Sequence, residues 1–462
     1  MPRSCSWEKI LSNTTRYVKV INKGFLSPDD GEYSQEIFHY MKDAEIIIHS
    51  SYFRRLQGKT QVYPFPRFDY LRTRLTHSLE VSQIARSIAA KIARKLNEEK
   101  KCECFRYMPT IVHAACLCHD LGNPPYGHIG EEAIKQWFFK IKDERIIEME
   151  DSEWNDFLYF DGNAQSFRIV TRLAEWRELG GYQLTYPVIA SFVKYPYDSS
   201  HNRAKEKHKF GWFSTEKNTA HEIFKELGLV KDSVKEYKRH PLSYIVEAAD
   251  DICYLTSDLE DAHRNGEITY MDIVTSLGEI SGITEERMPN DLNHDVIQFQ
   301  DKVSYLRSKA QDTMINSVVE NFLQQKDHVI CEGIIDNILE TSQIQGVGRN
   351  TKKLKSLCKE KVYLGKDKLT MEQSGFYAIN TCLDLFGRMA ISYVKKGGDV
   401  EKISPQHHGL YYILPSEFRV KLSRHSYHES LQVILDYISG MTDEYIRNLV
   451  RKLTGGILPW QK

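Results

Sequence analysis

Apolar residues recur along this chain at three- and four-residue steps far more often than in alternation, a spacing that predicts helices rather than strands. Over 77–96, Leu79, Val81, Ile84, Ile88, Ile92 and Leu96 follow that period, while Arg86, Lys91 and Lys95 fall on other faces. The segment 111–118 is apolar nearly throughout, as in a central helix buried on every side, and Gly122, Pro124 and Pro125 stop it. Further helices are expected over 131–142, 164–178, 241–262, 301–322, 371–394 and 427–439. Gly440 ends the last of these, and Thr442 caps one more through Leu453. Short hairpins are expected at 63–70 and 409–414, where aromatic and β-branched residues lie between Pro and Gly, and surface loops at 143–156, 198–210 and 397–408. The expected fold class is all-α with at most short hairpins.

No internal repeat is visible and no linker divides the chain. An N-terminal segment (1–44), a helical region (45–265) and a C-terminal helical region (266–462) that completes it are expected to form one continuous unit. Sixty-two basic side chains against sixty-three acidic ones leave a formal charge of -1, so no global field draws the protein to nucleic acid or anionic lipid. Basic residues gather locally at Arg203, Lys205, Lys207 and Lys209, followed by Trp212. A solvated loop is the better reading there than a phosphate or single-strand contact. With no apolar run suited to a signal peptide or a membrane span, a cytoplasmic location is expected. Nine cysteines placed in apolar segments suggest reduced thiols in a core. Cys102 with Cys104, and Cys116 with Cys118, have one intervening residue rather than two, which argues against structural zinc.

Two segments are rich in potential ligands: RTRLTHS at 72–78 and CHDLGNPPYGHIGE at 118–131. His119 and Asp120 end an apolar helix, so an ionised carboxylate is carried to the edge of the core, where it needs a divalent cation or an arginine as partner. A third segment, EAADDICYLTSDLED at 247–261, places Asp250, Tyr254 and Asp258 four residues apart on one stripe. The same helix carries Ala248, Ala249, Ile252 and Cys253, and this interior placement favours function over a solvated acidic face.

The ordered set His77, His119 with Asp120, and Asp250 resembles the H…HD…D signature of the HD phosphohydrolase superfamily. RRLQGKTQV at 54–62, RTRLTHSLEV, HDLGNPPYGHIGEEAI, DGNAQSFRI at 161–169 and IVEAADDICYLTSDLEDA further resemble blocks of the deoxyguanosine triphosphate triphosphohydrolase family, strongly over 50–265. LDYISGMTDEY at 435–445 resembles its C-terminal helix pair. The resemblance implies an HD-domain helical core with His77, His119, Asp120 and Asp250 as ligands of one divalent metal ion. Two imidazoles and two carboxylates suit Mn, Mg, Co or Ni, with Mn or another transition ion more comfortable than oxygen-seeking Mg. It also implies His128 and Glu131 as the catalytic pair, one helical turn apart. Arg74, Lys194 and Tyr195 are implied as phosphate and sugar contacts, and Gln57, Asn163, Tyr254 and Asp258 as residues around the deoxyribose.

The implied reaction cleaves the bond between the α-phosphorus and the 5′-oxygen of dGTP, or of other dNTPs, and releases deoxynucleoside and tripolyphosphate. Asn123 stands where the related vertebrate SAM and HD domain enzyme has His, which favours the bacterial-type branch. Homo-oligomers up to hexamers and single-stranded DNA as an effector are implied in the same way. An HD phosphodiesterase or guanosine polyphosphate hydrolase would share the four ligands, although RRLQGKTQV and the Tyr254–Asp258 stripe count against it. A single-stranded nucleic-acid-binding regulator with a relict site is the rival of another class, disfavoured by the completeness of the set.

Overall fold

A computed structural model describes residues 6–12, 14, 35–63, 70–174, 180–231, 236–284, 287–288, 299–331 and 336–456. Helices supply nearly all of the regular structure. Pairing of extended backbone among the described residues is confined to isolated bridges, Thr60 with Thr73, Asp198 with Trp212 and Val230 with Tyr237.

The centre is a stack of long helices. Arg74–Lys100 packs against Met108–Cys118 and Pro241–Arg264, and Phe299–Gln324 covers the last of these and Arg74–Lys100. The first begins where it does because Thr73 and Thr76 form a reciprocal capping box. Val81, Ala85, Ile88, Ala89, Ile92 and Leu96 then turn a continuous apolar face inward. Met108–Cys118 is sheathed on all sides, and its small residues Ala114 and Ala115 let neighbouring helices approach closely. Each fully buried Ile or Leu in this stack contributes about 1.5–3 kcal/mol of transfer free energy.

A second apolar cluster joins the middle of the chain to its end. Ile134, Trp137, Phe138 and Ile141 of helix His128–Glu144 share it with Ile379, Leu383, Phe386, Leu431, Ile434 and Ile438. Between the clusters lies the buried guanidinium of Arg168. Its Nε and Nη2 donate to the two oxygens of Asp436 at 2.8 Å each, and Nη1 donates to Glu216 Oε1 at 2.7 Å. Gln165 Nε2 adds a bond to Asp436 Oδ1 at 2.9 Å. A buried charge is tolerated here because every ionic partner is present.

The structure corrects several local expectations. Residues 409–414 are not a hairpin but the end of helix Pro405–Ile413, because Ser404 caps it and Pro405 occupies its first position. Of the hairpin expected at 63–70, residues 64–69 lie outside the described residues, as do 15–34 of the N-terminal segment and 175–178 of the helix expected over 164–178. That helix is Gly162–Arg168 followed by a wide turn at Ile169–Leu173, and a similar turn at Leu383–Gly387 divides the one expected over 371–394. The expected loops contain helices Asp151–Leu158 and Asn202–Lys207 and a short 3-10 turn at Val400–Lys402. Cys102 and Cys104 are disulfide-bonded rather than reduced, because the turn they begin brings their sulfurs together, whereas Cys116, Cys118, Cys253, Cys358 and Cys382 are free and buried. No described helix is long and apolar enough to cross a membrane.

Replacing Arg168 with Leu leaves Asp436 buried without its cation and Glu216 with Arg172 alone, 3.2 Å away. The expected loss is about 3–5 kcal/mol, seen as a lower midpoint in urea unfolding. An unchanged midpoint would show that this tie contributes nothing.

Candidate active site

His77, His119, Asp120 and Asp250 arrive from three packed elements. His77 lies in the first turn of Arg74–Lys100, His119 and Asp120 follow Met108–Cys118 directly, and Asp250 is in the middle of Pro241–Arg264. One donor atom from each of His77, His119 and Asp120 falls within a sphere of contacts no wider than 4.8 Å. Asp250 Oδ1 joins them, 3.0 Å from His77 Nε2 and 3.8 Å from His119 Nε2. The ring of His119 has a defined tautomer: its Nδ1 donates to the carbonyl of Cys116 at 2.6 Å, which leaves the Nε2 lone pair directed at the carboxylates. Two imidazole nitrogens and two carboxylates at this separation form a donor set able to hold a divalent cation.

Burial opposes charge on Asp120, yet His119, Arg74 and His77 hold its carboxyl well below the usual range. Arg74 Nη1 donates to Asp120 Oδ2 at 2.8 Å, and Asn123 Nδ2 donates to Oδ1. The arginine partner considered for Asp120 is therefore present alongside the cluster. The guanidinium passes so close to Gly127 that a Cβ there would lie 2.5 Å from Arg74 Nη2, and φ of +60° at this residue is a second reason for glycine.

His128 and Glu131 form the expected couple on the first turn of His128–Glu144, with Nδ1 and Oε2 3.0 Å apart. The imidazole side chain is 87% exposed and the carboxylate 4%, so a fixed group steers a free one. Glu131 is fixed by the amide of Gly162, which donates to Oε1 at 2.8 Å, and by Lys209, whose Nζ lies 3.3 Å from Oε2 and 3.5 Å from Asp161 Oδ1. Burial raises the Glu131 carboxyl, but Lys209 and His128 outweigh it and keep it ionised. Lys209 is the partner that the sequence hid. It sits in the basic run read as a solvated loop, and the structure corrects that reading, since Arg203, Lys207 and Lys209 line the cavity into which the couple projects.

That cavity measures about 1140 Å³ and is also lined by the His/Asp cluster, Arg74, Asn163, Lys194, Tyr195, Tyr254 and Asp258. Lys194 Nζ pairs with Glu247 at 2.8 Å and sits over the Tyr195 ring, while Arg239 takes the other oxygen of Glu247 at 2.7 Å. Asn163 donates from its side chain to Asp161 Oδ1 at 2.9 Å. Asp258 accepts from Tyr363 OH at 2.9 Å through Oδ2, its buried Oδ1 has no partner among the described residues, and burial pushes its carboxyl up to about 7. Lys355, paired with Asp251 at 3.0 Å, stands over the Tyr254 ring. Gln57 differs from the others. It is exposed, accepts a bond from Thr73 Oγ1 at 3.2 Å, and is not among the cavity-lining residues. Trp212 is no stacking platform for bases, because it is buried among Phe167, Phe224 and Tyr237.

The HD domain model matches residues 74–154, the span that begins at Arg74 and includes His77, the His119–Asp120 pair, His128 and Glu131. A phosphohydrolase-associated domain matches 406–452. A "deoxyguanosinetriphosphate triphosphohydrolase-like protein" of Pseudomonas aeruginosa is 34% identical over 93% of this chain and 95% of its own length. One of the same description from Synechocystis is 31% identical over 97% and 99%. The "deoxyguanosinetriphosphate triphosphohydrolase" of Yersinia pseudotuberculosis is 28% identical over 93% and 96%. With similarity of this degree running nearly end to end and an HD domain around the cluster, the chain belongs to the deoxyguanosinetriphosphate triphosphohydrolase-like family of HD-domain proteins.

Proposed function

We propose that this chain hydrolyses deoxynucleoside triphosphates, dGTP foremost, to the deoxynucleoside and tripolyphosphate. The observation that carries this reading is that one cavity contains both the four-donor His/Asp cluster and the His128–Glu131 couple. His77, His119, Asp120 and Asp250 are the residues that would hold a divalent ion, Mn2+ or Mg2+ with Co2+ or Ni2+ as alternatives, which when bound supplies positive charge toward phosphate oxygens and lowers the pKa of water. Products and base preference come to this chain from the names of its relatives, and the phosphate and sugar contacts give only the cleavage a physical basis.

Water attacks the α-phosphorus in line, the bond to the 5′-oxygen breaks, and that oxygen takes up a proton. His128 is placed for the transfer: Glu131 holds Nδ1, and Nε2 is left to move a proton at the cavity mouth. Glu131, kept ionised by Lys209, acts by orienting the ring. Arg74, Lys194 and Tyr195 line the wall as phosphate contacts, and Lys209 adds a cation to theirs. Asn163, Tyr254 and Asp258 surround the sugar. Asp258 and Tyr254 line the cavity from one helix, where a carboxylate would accept from a 3′-hydroxyl and a packed ring would exclude a 2′-hydroxyl. Gln57, exposed and bonded to Thr73, is the weakest member of this set.

Incubating the protein with each dNTP and GTP in Mn2+ or Mg2+, and resolving products by ion exchange, is expected to yield tripolyphosphate and deoxyguanosine from dGTP, little turnover of GTP, and none with Asp120→Ala. Monophosphate plus pyrophosphate would point instead to a phosphodiesterase-type cleavage. Substituting His128 with Ala is expected to lower kcat by about 10²–10⁴-fold with KM within a small factor, as loss of a proton-transfer group requires. A large rise in KM at unchanged kcat would make His128 a binding residue.

The raised carboxyl of Asp258 adds a pH signature. Its folded-state value near 7 exceeds the ordinary 3.8, so the folded chain binds the extra proton and stability declines as pH rises between those values. Asp258→Asn removes this term. Its Tm relative to wild type, measured without nucleotide, is expected to climb from pH 4 to pH 7 and level off above. A Tm difference independent of pH would contradict the assignment.

A further inference from the structure

The two imidazoles of the cluster are held differently on their far sides. His119 rests Nδ1 on a backbone carbonyl, the usual arrangement for a metal-binding histidine. His77 turns Nδ1 toward a sulfur atom, Cys253 Sγ, at 3.7 Å. Cys253 is fully buried and lies three residues beyond Asp250 on Pro241–Arg264, so one helix grips both nitrogens of a single ring. The same sulfur is 3.7 Å from Glu80 Oε2 and 3.9 Å from Ser257 Oγ. Glu80 stands three residues after His77 and is anchored by Arg72 Nε at 2.8 Å.

One assignment of hydrogens satisfies every partner when His77 offers its Nε2 lone pair to a cation. Nδ1 then bears the ring hydrogen and donates it to Cys253 Sγ. The thiol hydrogen points to Glu80, an ionised carboxylate that can only accept, and Arg72 holds that carboxylate in place. Without the sulfur, His77 Nδ1–H would lose the contact that sets the ring's tautomer and plane. We propose that Cys253 is a positioning residue of the cation site, presenting His77 Nε2 to the metal through an Nδ1–H···S–H···carboxylate relay. This rests on the assignment of His77, His119, Asp120 and Asp250 as ligands, and the sequence offered no sign of it, since Cys253 reads there simply as a core residue.

The test measures Mn2+ binding to the metal-free protein by titration calorimetry, with the visible absorption of the Co2+ form as a second readout. Cys253→Ala is expected to weaken Mn2+ binding by about 10-fold or more and to alter the Co2+ bands, while kcat recovers at saturating Mn2+. Cys253→Val fills the vacated space without an acceptor and is expected to bind as poorly as Cys253→Ala. Cys253→Ser, whose hydroxyl accepts and donates, is expected to restore most of the affinity. A common unfolding midpoint among the metal-free variants separates positioning from packing. Wild-type Mn2+ affinity in both Cys253→Ala and Cys253→Val would overturn the proposal. Asp120→Ala serves as the control: if it too bound Mn2+ as the wild type does, the ligand assignment itself would fall and the proposal with it.

Discussion

Asp120 is an ionised carboxylate at the lip of an apolar helix stack, and leaving it uncompensated would cost several kcal/mol. Much of the surrounding architecture follows from that charge. Arg74 must reach it from the start of a neighbouring helix, so the loop after Asp120 passes directly under the guanidinium and carries no side chain at Gly127. The loop must also turn at once so that Asn123 can return to the same carboxylate. This tight return seats it on helix Gly162–Arg168, where a Cβ on Gly122 would lie 2.1 Å from the amide of Ser166. Glycine at both positions in HDLGNPPYGH is thus a consequence of where one charge is held, independent of any chemistry performed there.

A loop folded this tightly is under strain, and the far end of the chain holds it. Tyr126 has φ of +60°, unusual for an aromatic residue, immediately before Gly127 and His128. Its amide donates to Asp443 Oδ1 at 2.9 Å and its hydroxyl to the Asp443 carbonyl at 3.2 Å, while Thr60 donates to the other carboxylate oxygen from both amide and hydroxyl. Lys59, buried and pushed down to about 7 by desolvation, donates to the carbonyls of Asn123 at 2.6 Å and Ser439 at 2.8 Å. Residues near 60, near 125 and near 440 are therefore mutually dependent. The phosphohydrolase-associated match at 406–452 includes Asp443, which gives it a structural reason to accompany the HD domain.

What the sequence made legible was set by periodicity and by polarity out of place. Helical spacing located the stack, and His119, Asp120 and Asp250 were conspicuous because charged groups sat inside apolar helices. Terminal chemistry was easier to misread. Pro405 and Gly409 resemble strand breakers until Ser404 is recognised as a cap, whereupon the proline marks a helix start. Pairings that span large separations left no local trace. Lys209 follows Arg203, Lys205 and Lys207 and resembles them, yet its ammonium reaches back 78 positions to Glu131, and only the return of the chain past Asp161 separates it from its solvated neighbours. Trp212, three residues later, shows the converse: an aromatic beside basic residues keeps a nucleic-acid surface open as the lesser reading, but the chain turns inward at Phe210 and buries it.

The same ion pairs shape how the cavity can receive a polyanion. Arg74, Lys194 and Lys209, three of the cations along its wall, are each already matched to a carboxylate: Asp120, Glu247 and Glu131. Flexible lysines in an empty pocket would lose side-chain entropy on meeting a phosphate; these have been ordered by folding, and their positions are set before any ligand arrives. The arrangement has a cost, because a phosphate must share or displace the carboxylate partners, which are buried or half-buried and would be left under-compensated. That cost falls least where a carboxylate has a second positive neighbour. Glu247 retains Arg239 and Glu131 retains its bonds from His128 and Gly162, whereas Asp120 has only Asn123 and the adjacent imidazoles once Arg74 turns away. Asp120 is also the member of these three that belongs to the cluster suited to a divalent cation. On the proposed function, electrostatic compensation of Asp120 and engagement of phosphate by Arg74 would be two sides of one charge balance, coupling occupancy of the His/Asp cluster to the affinity of the wall above it.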